Sequence, residues 1–175
     1  MSYTTDRQPQ GRAVNLSNFL REAMIGELVA INDYQEHIGY CPIPEVRNIF
    51  EHIMEDEKKH YGMLLSLTRK NDPVQYDMSI EVPKHLSIKC KKLNEFSSKK
   101  KVSMSSLLIK IRADIKSELE AVIAYEDILS QIDNKDAIKT ITEITNDEKE
   151  HIEELTYILL KLDGNCYGPI ENHCE

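Results

Sequence analysis

Two short segments of the chain each carry a glutamate and a histidine three residues apart: Glu57 with His60, and Glu148 with His151. If each segment is helical, the two side chains of a pair lie on the same face. Carboxylate oxygens and imidazole nitrogens at that spacing can bind a first-row transition metal. A single Glu-x-x-His pair is weak evidence, because solvated helix faces contain many of them. Two copies require an explanation.

The two pairs belong to a longer internal repeat with a fixed offset of 91 residues and no gap. Most surface positions differ between the two halves, whereas the matched polar residues fall on the inward faces of the expected helices. A shared apolar residue requires only a shared core, but shared polar residues require something polar inside that core. Further polar pairs with this offset include Glu27 and Glu118, Tyr34 and Tyr125, and Asp56 and Asp147.

The repeat supplies six residues that we predict to bind two metal ions. They are Glu27, Glu57, His60, Glu118, Glu148 and His151. Four buried carboxylates without partners would be costly or would hold protons, and two divalent cations neutralise them. Oxygen and imidazole donors suit iron, manganese or zinc better than a metal that prefers thiolates. The spacing leaves open whether the glutamates of the Glu-x-x-His pairs or the two single glutamates bridge the metals.

Four matched residues next to these ligands are predicted to support them. They are Asp56, Asp147, Tyr34 and Tyr125. A metal-bound histidine usually donates its second N–H to a carboxylate or carbonyl. The helices that carry the two Glu-x-x-His pairs are expected to run antiparallel. We therefore expect each aspartate to contact the histidine of the opposite pair. Each tyrosine follows a single glutamate by two helical turns on the same face, so its hydroxyl can reach a ligand carboxylate; plain packing is the alternative.

Four long helices must position these residues. Capping and turn residues predict four helices, which end near 39, 70, 131 and 162. The second begins at about Pro44, and the others begin at Asn15 or Ser17, at Ser103 or Ser105, and at Asp133 or Asn134. A crossover of about thirty residues joins the second helix to the third, with a short helix expected from Pro83 to Phe96. The predicted fold is all-α: a four-helix bundle of two repeated helical hairpins with one long crossover that contains a short helix.

The composition fits one helical domain. The chain has 175 residues, of which 30% are charged, and it lacks Trp. We predict a flexible N-terminal lead over 1–13, the bundle over 14–163 and an irregular tail over 164–175. The four cysteines form no CxxC motif, so neither a zinc ribbon nor a rubredoxin-type iron site is expected.

Charge and hydropathy narrow the expected partners and location. The formal net charge of −8 argues against a general nucleic-acid binder. No run approaches the roughly 18 apolar residues of a membrane-spanning helix. The N-terminus has no apolar signal-peptide region. The expectation is a cytoplasmic protein that contacts neither nucleic acid nor membrane.

Several polar residues have no partner in the repeat and are predicted to lie at the surface. They include His37, His52 and His85. Glu120 is the nearest alternative to Glu118 as a ligand, but it has no matching glutamate at the offset of 91. Glu120 points about 200° around its helix from Glu118. The lysine-rich part of the crossover, residues 84–101, is expected to be solvated; docking of an acidic partner is the alternative.

At these residues the chain resembles the rubrerythrin branch of the ferritin-like superfamily. The resemblance covers roughly residues 15–162. It rests on Glu27-Leu-Val-Ala30 with Tyr34, Glu118-Leu-Glu-Ala121 with Tyr125, and the two Asp-Glu-x-x-His segments. Ferritin-like carboxylate proteins hold two metals with one glutamate from each of two helices and a Glu-x-x-His pair from each of the other two. The resemblance implies a non-haem di-iron centre that reacts with peroxide or dioxygen, often in a homodimer.

The chain departs from the rubrerythrin pattern in two ways. Typical rubrerythrins carry a C-terminal rubredoxin-like domain with paired CxxC motifs, which is absent here, so electrons are expected from an external donor. They also carry an extra glutamate three residues after the ligand in the third helix, where this chain has Ala121. That ligand is associated with peroxidase-type iron movement. Its absence argues for the symmetric six-ligand form shared by ferritin-like oxidases and hydroxylases.

Four functions therefore compete. The first is a di-iron oxidoreductase that reduces peroxide or dioxygen, and the second is a ferroxidase that handles iron. The third is hydroxylation of an organic substrate. It needs an apolar channel, against which the acidic, polar composition argues mildly. The fourth is a non-catalytic metal binder with a structural site.

Overall fold

The computed structural model describes residues 15–86, 102–164 and 167–168. It contains five helices: α1 (Leu16–Tyr40), α2 (Pro44–Asn71), α3 (Pro73–His85), α4 (Met104–Gln131) and α5 (Lys135–Leu162). The all-α bundle predicted from the sequence is confirmed. The predicted N-terminal lead and most of the predicted tail lie outside the described residues. No helix in these ranges combines the length and apolarity that crossing a membrane requires.

The long helices begin where side-chain caps are available. Asn15, Ser103 and Asn134 each accept a hydrogen bond from the backbone N–H three residues later, at 3.0–3.2 Å. Such caps satisfy N–H groups that have no partner within the helix. Helix α2 has no side-chain cap and begins instead with Pro44, whose missing N–H is not needed at the first position.

The described part of the crossover contains a short helix that starts before the predicted position. Helix α3 begins at Pro73 rather than at Pro83 and ends at His85, and residues 87–96 of the predicted helix lie outside the described residues. Asp72 caps α3 by accepting a backbone N–H at 3.1 Å, and Arg21 of α1 donates to the same carboxylate at 2.6 Å. Pro83 lies near the C-terminal end of α3, where its missing N–H removes only one helical hydrogen bond. Residues 87–101, with most of the lysine-rich segment, are outside the described part of the chain.

The hairpins α1–α2 and α4–α5 pack against each other with α2 antiparallel to α5. The end of α2 lies beside the start of α5, where Lys70 Nζ is 3.4 Å from Asp136 Oδ2. Helix α1 packs mainly on α2, and α4 packs mainly on α5. The direct packing of α1 on α4 is less extensive, which leaves a cleft between them.

Two apolar clusters fill the bundle, one toward each end. The fully buried members of the first include Phe50, Ile53, Ile111 and Leu155, and those of the second include Leu20, Leu64, Ile141 and Ile144. Along each long helix, a buried polar segment separates the residues of one cluster from those of the other. The bundle therefore holds a polar layer between two apolar layers.

Candidate metal centre

The six predicted ligands meet in this polar layer. Each is at most 2% exposed. Helices α1 and α4 each contribute one glutamate, and α2 and α5 each contribute a Glu-x-x-His pair. The antiparallel packing of α2 on α5 makes the two pairs face each other, so the His60 and His151 ring centroids are 5.9 Å apart. The sequence repeat thus becomes an approximately two-fold arrangement in space.

The donor atoms form two overlapping groups. Within each group, one ligand atom per residue lies within 4.8 Å of all the others. One group comprises Glu27, Glu57, His60 and Glu148; the other comprises Glu57, Glu118, Glu148 and His151. Glu57 and Glu148 belong to both groups. This overlap favours the glutamates of the Glu-x-x-His pairs as the shared ligands, one of the two alternatives that the spacing left open.

Several of these atoms have no partner with hydrogen-bond geometry within the described residues, although His60 Nδ1 lies 3.2 Å from Glu148 Oε1 and His151 Nδ1 lies 3.4 Å from Glu57 Oε1. They include Nδ1 of both histidines, Oε1 of Glu57 and both carboxylate oxygens of Glu148. Buried polar atoms in proteins are almost always paired, and an unpaired one costs about 1–3 kcal/mol. Six buried donors, with unpaired atoms directed at each other, fit two cations better than they fit a solid core. The donor set therefore fits a two-metal centre.

The two aspartates that precede the ligand glutamates lie beside the histidines of the opposite pairs. Asp147 Oδ2 is 3.1 Å from His60 Nε2, which is hydrogen-bond distance. Asp56 Oδ2 is 3.8 Å from His151 Nε2, which is too long for a hydrogen bond. In both rings Nε2 faces the aspartate and Nδ1 faces the carboxylates. A hydrogen bond from an aspartate thus holds the His60 ring but not the His151 ring.

The two matched tyrosines are buried and contact the single glutamates across the bundle. The Tyr34 hydroxyl donates to Glu118 Oε1, and the Tyr125 hydroxyl donates to Glu27 Oε1. Burial, followed by the nearby carboxylates, raises the pKa of both tyrosines well above its usual value. The hydroxyls therefore keep their protons and act as donors, each orienting a glutamate that belongs to the other half of the repeat.

Burial and mutual repulsion set the protonation of the carboxylates. Burial, with Glu57 as the next cause, raises the pKa of Glu27 and of Glu118 well above the ordinary range. Burial also acts to raise the pKa of Glu57, but contacts from Glu27, His151 and His60 outweigh it and hold that pKa at about 2. In the metal-free protein the single glutamates thus favour the acid form, while Glu57 is ionised.

The histidines respond in the opposite sense to the same carboxylates. Burial acts to lower the pKa of each imidazole, but contacts with Glu148 and Glu57 outweigh it. They raise the pKa of His60 to about 10 and that of His151 to about 9. Both histidines are therefore cationic at neutral pH without a metal. Because metal ligation requires neutral imidazole and ionised carboxylate, cations would displace protons from this centre.

The structure corrects one surface assignment. His37 is not at the surface: it is 7% exposed and its Nδ1 lies 3.0 Å from Asp114 Oδ2, which is 5% exposed. Its ring packs against Phe50 at a centroid distance of 5.8 Å. The spacing did contain a signal, because His37 follows Tyr34 by three residues and Asp114 precedes Glu118 by four. Each therefore shares the inward face of its helix.

The other residues without repeat partners lie outside the donor set. The side chain of His52 is 51% exposed, beside Asp56 at 3.6 Å, and His85 is exposed. Glu120 is partly exposed and accepts from Lys116 at 2.6 Å, one helical turn away. It also borders the mouth of a cavity that leads to the centre.

That cavity lies between α1 and α4 and has a volume of about 380 Å³. Four of the six ligands line it: Glu27, Glu57, Glu118 and Glu148. Small and aliphatic residues form much of the remaining wall, among them Ala23, Gly26, Ala30, Ala121, Ala124 and Ile128. The polar composition of the chain gave no sign of this largely apolar access to the centre.

Comparison with known proteins adds a family and a fold. The family model described as Rubrerythrin matches residues 18–159. No curated protein matches the chain. Three similar solved structures are 14–20% identical to this chain, and at such identities their likeness shows the fold alone.

These three structures share the bundle. A hypothetical protein from Pyrococcus furiosus has a TM-score of 0.65 at 18% identity, over 85% of this chain and 90% of that one. A two-domain protein from Anabaena variabilis, with DJ-1/ThiJ/PfpI-like and ferritin-like domains, has a TM-score of 0.65 at 14% identity. The match covers 92% of this chain but only 46% of that protein. A bacterioferritin-related protein from Bacteroides fragilis, described as a dodecameric thioferritin, has a TM-score of 0.57 at 20% identity, over 84% and 85% of the two chains.

Proposed function

This chain belongs to the rubrerythrin family, and from that premise we propose that it is a non-haem di-iron oxidoreductase that reacts with peroxide or dioxygen. Electrons would come from an external donor. The observation that carries the proposal is the pair of overlapping donor groups, in which Glu57 and Glu148 are common to both. Each group would hold one metal, and the two common glutamates would contact both metals.

The family favours iron, although manganese and zinc accept the same oxygen and nitrogen donors. When bound, two ferrous ions would supply electrons and Lewis acidity for reduction of the oxidant. The protein's own contribution is position and protonation. Tyr34 and Tyr125 orient the single glutamates, and Asp147 holds the His60 ring with Nδ1 toward the centre. The apolar clusters limit access of water to the polar layer from the two ends of the bundle, while the cavity between α1 and α4 reaches it from the side.

Stopped-flow oxidation tests the proposal directly. Protein purified without added metal is first analysed by mass spectrometry and at the iron and zinc absorption edges. Anaerobic protein loaded with ferrous iron is then mixed with peroxide or with dioxygen. We expect two irons per chain and a di-ferric absorption band with at least one oxidant. A chain that holds only zinc, or ferrous protein that neither oxidant converts, would overturn the proposal.

The alternative of a ferroxidase is favoured by one observation, the charge of the cavity wall. Seven acidic side chains line the cavity, and no lysine, arginine or histidine does so among the described residues: the seven are Glu22, Glu27, Glu57, Glu118, Glu120, Asp127 and Glu148. Such a wall attracts cations. A ferroxidase oxidises many ferrous ions per centre. Aerobic titration that stops at two irons oxidised per chain would exclude this alternative and retain the oxidoreductase.

A homodimer is the assembly that the family resemblance implies. The structural relative from Bacteroides fragilis is described as a dodecamer, so a larger assembly is the alternative. Light scattering coupled to gel filtration distinguishes the two from each other and from a monomer.

A further inference from the structure

The cavity between α1 and α4 is built as a small-molecule site. Its volume of about 380 Å³ falls within the range of such sites, roughly 300–1,000 Å³. Gly26, Ala30, Ala121 and Ala124 supply little side-chain volume along its wall. A Cβ atom added to Gly26 would meet no atom within 4 Å. The space is therefore open at the backbone of α1, one residue before a ligand of the centre.

The repeat shows that the bundle does not require this cavity. Ala23 and Ile128 line the cavity, and their counterparts in the repeat are Asp114 and His37. In that other half of the cleft, the counterparts are buried and paired at 3.0 Å, so they fill the space between the two helices. The same helices thus close one half of the cleft with a polar pair and leave an apolar opening in the other.

The chemistry of the wall restricts what the cavity can take. Its aliphatic wall favours an apolar surface. Its acidic residues and the absence of a cationic side chain among the described lining residues disfavour a carboxylate, phosphate or sulfonate. Four of the seven acidic residues are the proposed metal ligands, and bound metals would balance their charge, so the loaded cavity would not require a cationic ligand. We propose that the cavity binds a neutral, apolar organic molecule next to the metal centre. Its role as a reaction partner of the metals rests on the function proposed above, whereas binding itself does not.

Two dyes with one aromatic skeleton test this assignment. N-phenyl-1-naphthylamine is uncharged, and 8-anilino-1-naphthalenesulfonate is the same skeleton with a negative charge. Fluorescence titration of the full chain, loaded with redox-inert zinc, is expected to show one uncharged dye per chain. The sulfonate is expected to bind at least about tenfold more weakly. Equal affinities for the two dyes in the wild-type protein would overturn the proposal.

Two glycine variants locate the bound dye. Gly26→Leu places a side chain in the cavity and is expected to weaken binding of the uncharged dye by about tenfold or more. Gly62→Leu is the matched control, because Gly62 is an exposed helical glycine on α2 whose added Cβ also meets no atom within 4 Å. It should leave the affinity unchanged. If both variants bind the dye like the wild type, the dye lies elsewhere and the proposal fails.

Two further readouts separate the competing explanations. Light scattering on the same samples tests whether a second copy of the chain covers the cleft, since Ile25 and Ile123 at its edge are exposed. A dimer that Gly26→Leu dissociates, with no dye bound to the wild type, would overturn the proposal. Metal analysis tests the cavity proposal and the proposed function separately. A chain that binds two metals but no dye refutes only the cavity proposal. Dye binding that Gly26→Leu abolishes, in a chain that never takes up metal, supports the assignment and refutes the function.

Discussion

Loading the centre with metal is expected to release protons, and their number follows from the structure. Burial raises the pKa of Glu27 and Glu118, and neighbouring carboxylates, against the effect of burial, raise the pKa of His60 to about 10 and that of His151 to about 9. In the metal-free protein near pH 7, we expect both histidines to hold a proton, and the raised pKa of the two glutamates favours a proton on each of them. Metal ligation requires all four groups without their protons, so two metals should displace about two to four protons per chain.

The sign of the pH dependence follows from the same shifts. Each proton released raises the logarithm of the apparent affinity by about one per pH unit, which gives about one to two decades per metal per pH unit near neutrality. The stability of the metal-free fold depends on pH in the opposite sense. A histidine with a raised pKa contributes stability that is fully present below the unfolded value of 6.5 and is lost as the pH rises through 9 to 10.

Calorimetric titration with zinc near pH 7, in buffers of different ionisation enthalpy, measures the number of protons released. Thermal melts between pH 6 and 10 measure the pH dependence of stability. The metal-free protein, prepared with a chelator, should lose stability as the pH rises, and the metal-loaded protein should lose much less. His60→Gln should reduce the proton count by at least about one, because it removes a protonated ligand from one of the two donor groups. His52→Gln, which changes an exposed histidine outside the donor set, should not alter it. Fewer than about two protons released, or an affinity that does not change with pH, would refute the reasoning.

Three further predictions address the ligands and the core. Glu57→Ala should abolish binding of both metals, because Glu57 belongs to both donor groups, whereas Glu27→Ala should retain about one metal per chain by mass spectrometry. Equal metal loss in the two variants would contradict the assignment of shared ligands. Asp147→Asn should weaken zinc binding by about 10–100-fold, as is usual for a partner that holds a ligating histidine, and Asp56→Asn should weaken it less because its contact is 3.8 Å. Phe50→Ala, at a fully buried position, should lower the free energy of unfolding by about 3–5 kcal/mol in urea titration, and a loss below 1 kcal/mol would show a poorly packed core.

The sequence anticipated the bundle because the repeat carries both its apolar and its polar pattern. The offset of 91 residues separated Glu118 from its neighbour Glu120, which composition alone could not do. Side-chain caps at Asn15, Ser103 and Asn134 marked three helix starts to within a residue or two. These features are local in the chain or repeated along it, so they are visible without tertiary contacts.

Features that depend on contacts between helices were harder to anticipate. His37 has no counterpart in the repeat, and its burial depends on Asp114, which approaches it from another helix. Helix α3 starts early because Arg21 of α1 helps to hold its capping residue. The cavity was also missed, because residues such as Ala121 are compatible with tight helix packing as well as with open space. Only the separation of α1 from α4 shows that these residues line open space rather than a tight helix contact.

The buried pair formed by His37 and Asp114 has a consequence for how the two halves of the chain can diverge. In an assembly of two identical hairpins, every substitution would occur twice, so a polar pair near one end of the centre would have to be matched at the other. Joining the halves in one polypeptide removes that constraint. The Tyr34 end of the centre has the buried pair of His37 and Asp114, while the Tyr125 end has Ala23 and Ile128 at the matching positions. The two matched halves of the donor set thus have unlike surroundings, one polar and one apolar, and a single chain allows the two halves to differ in function.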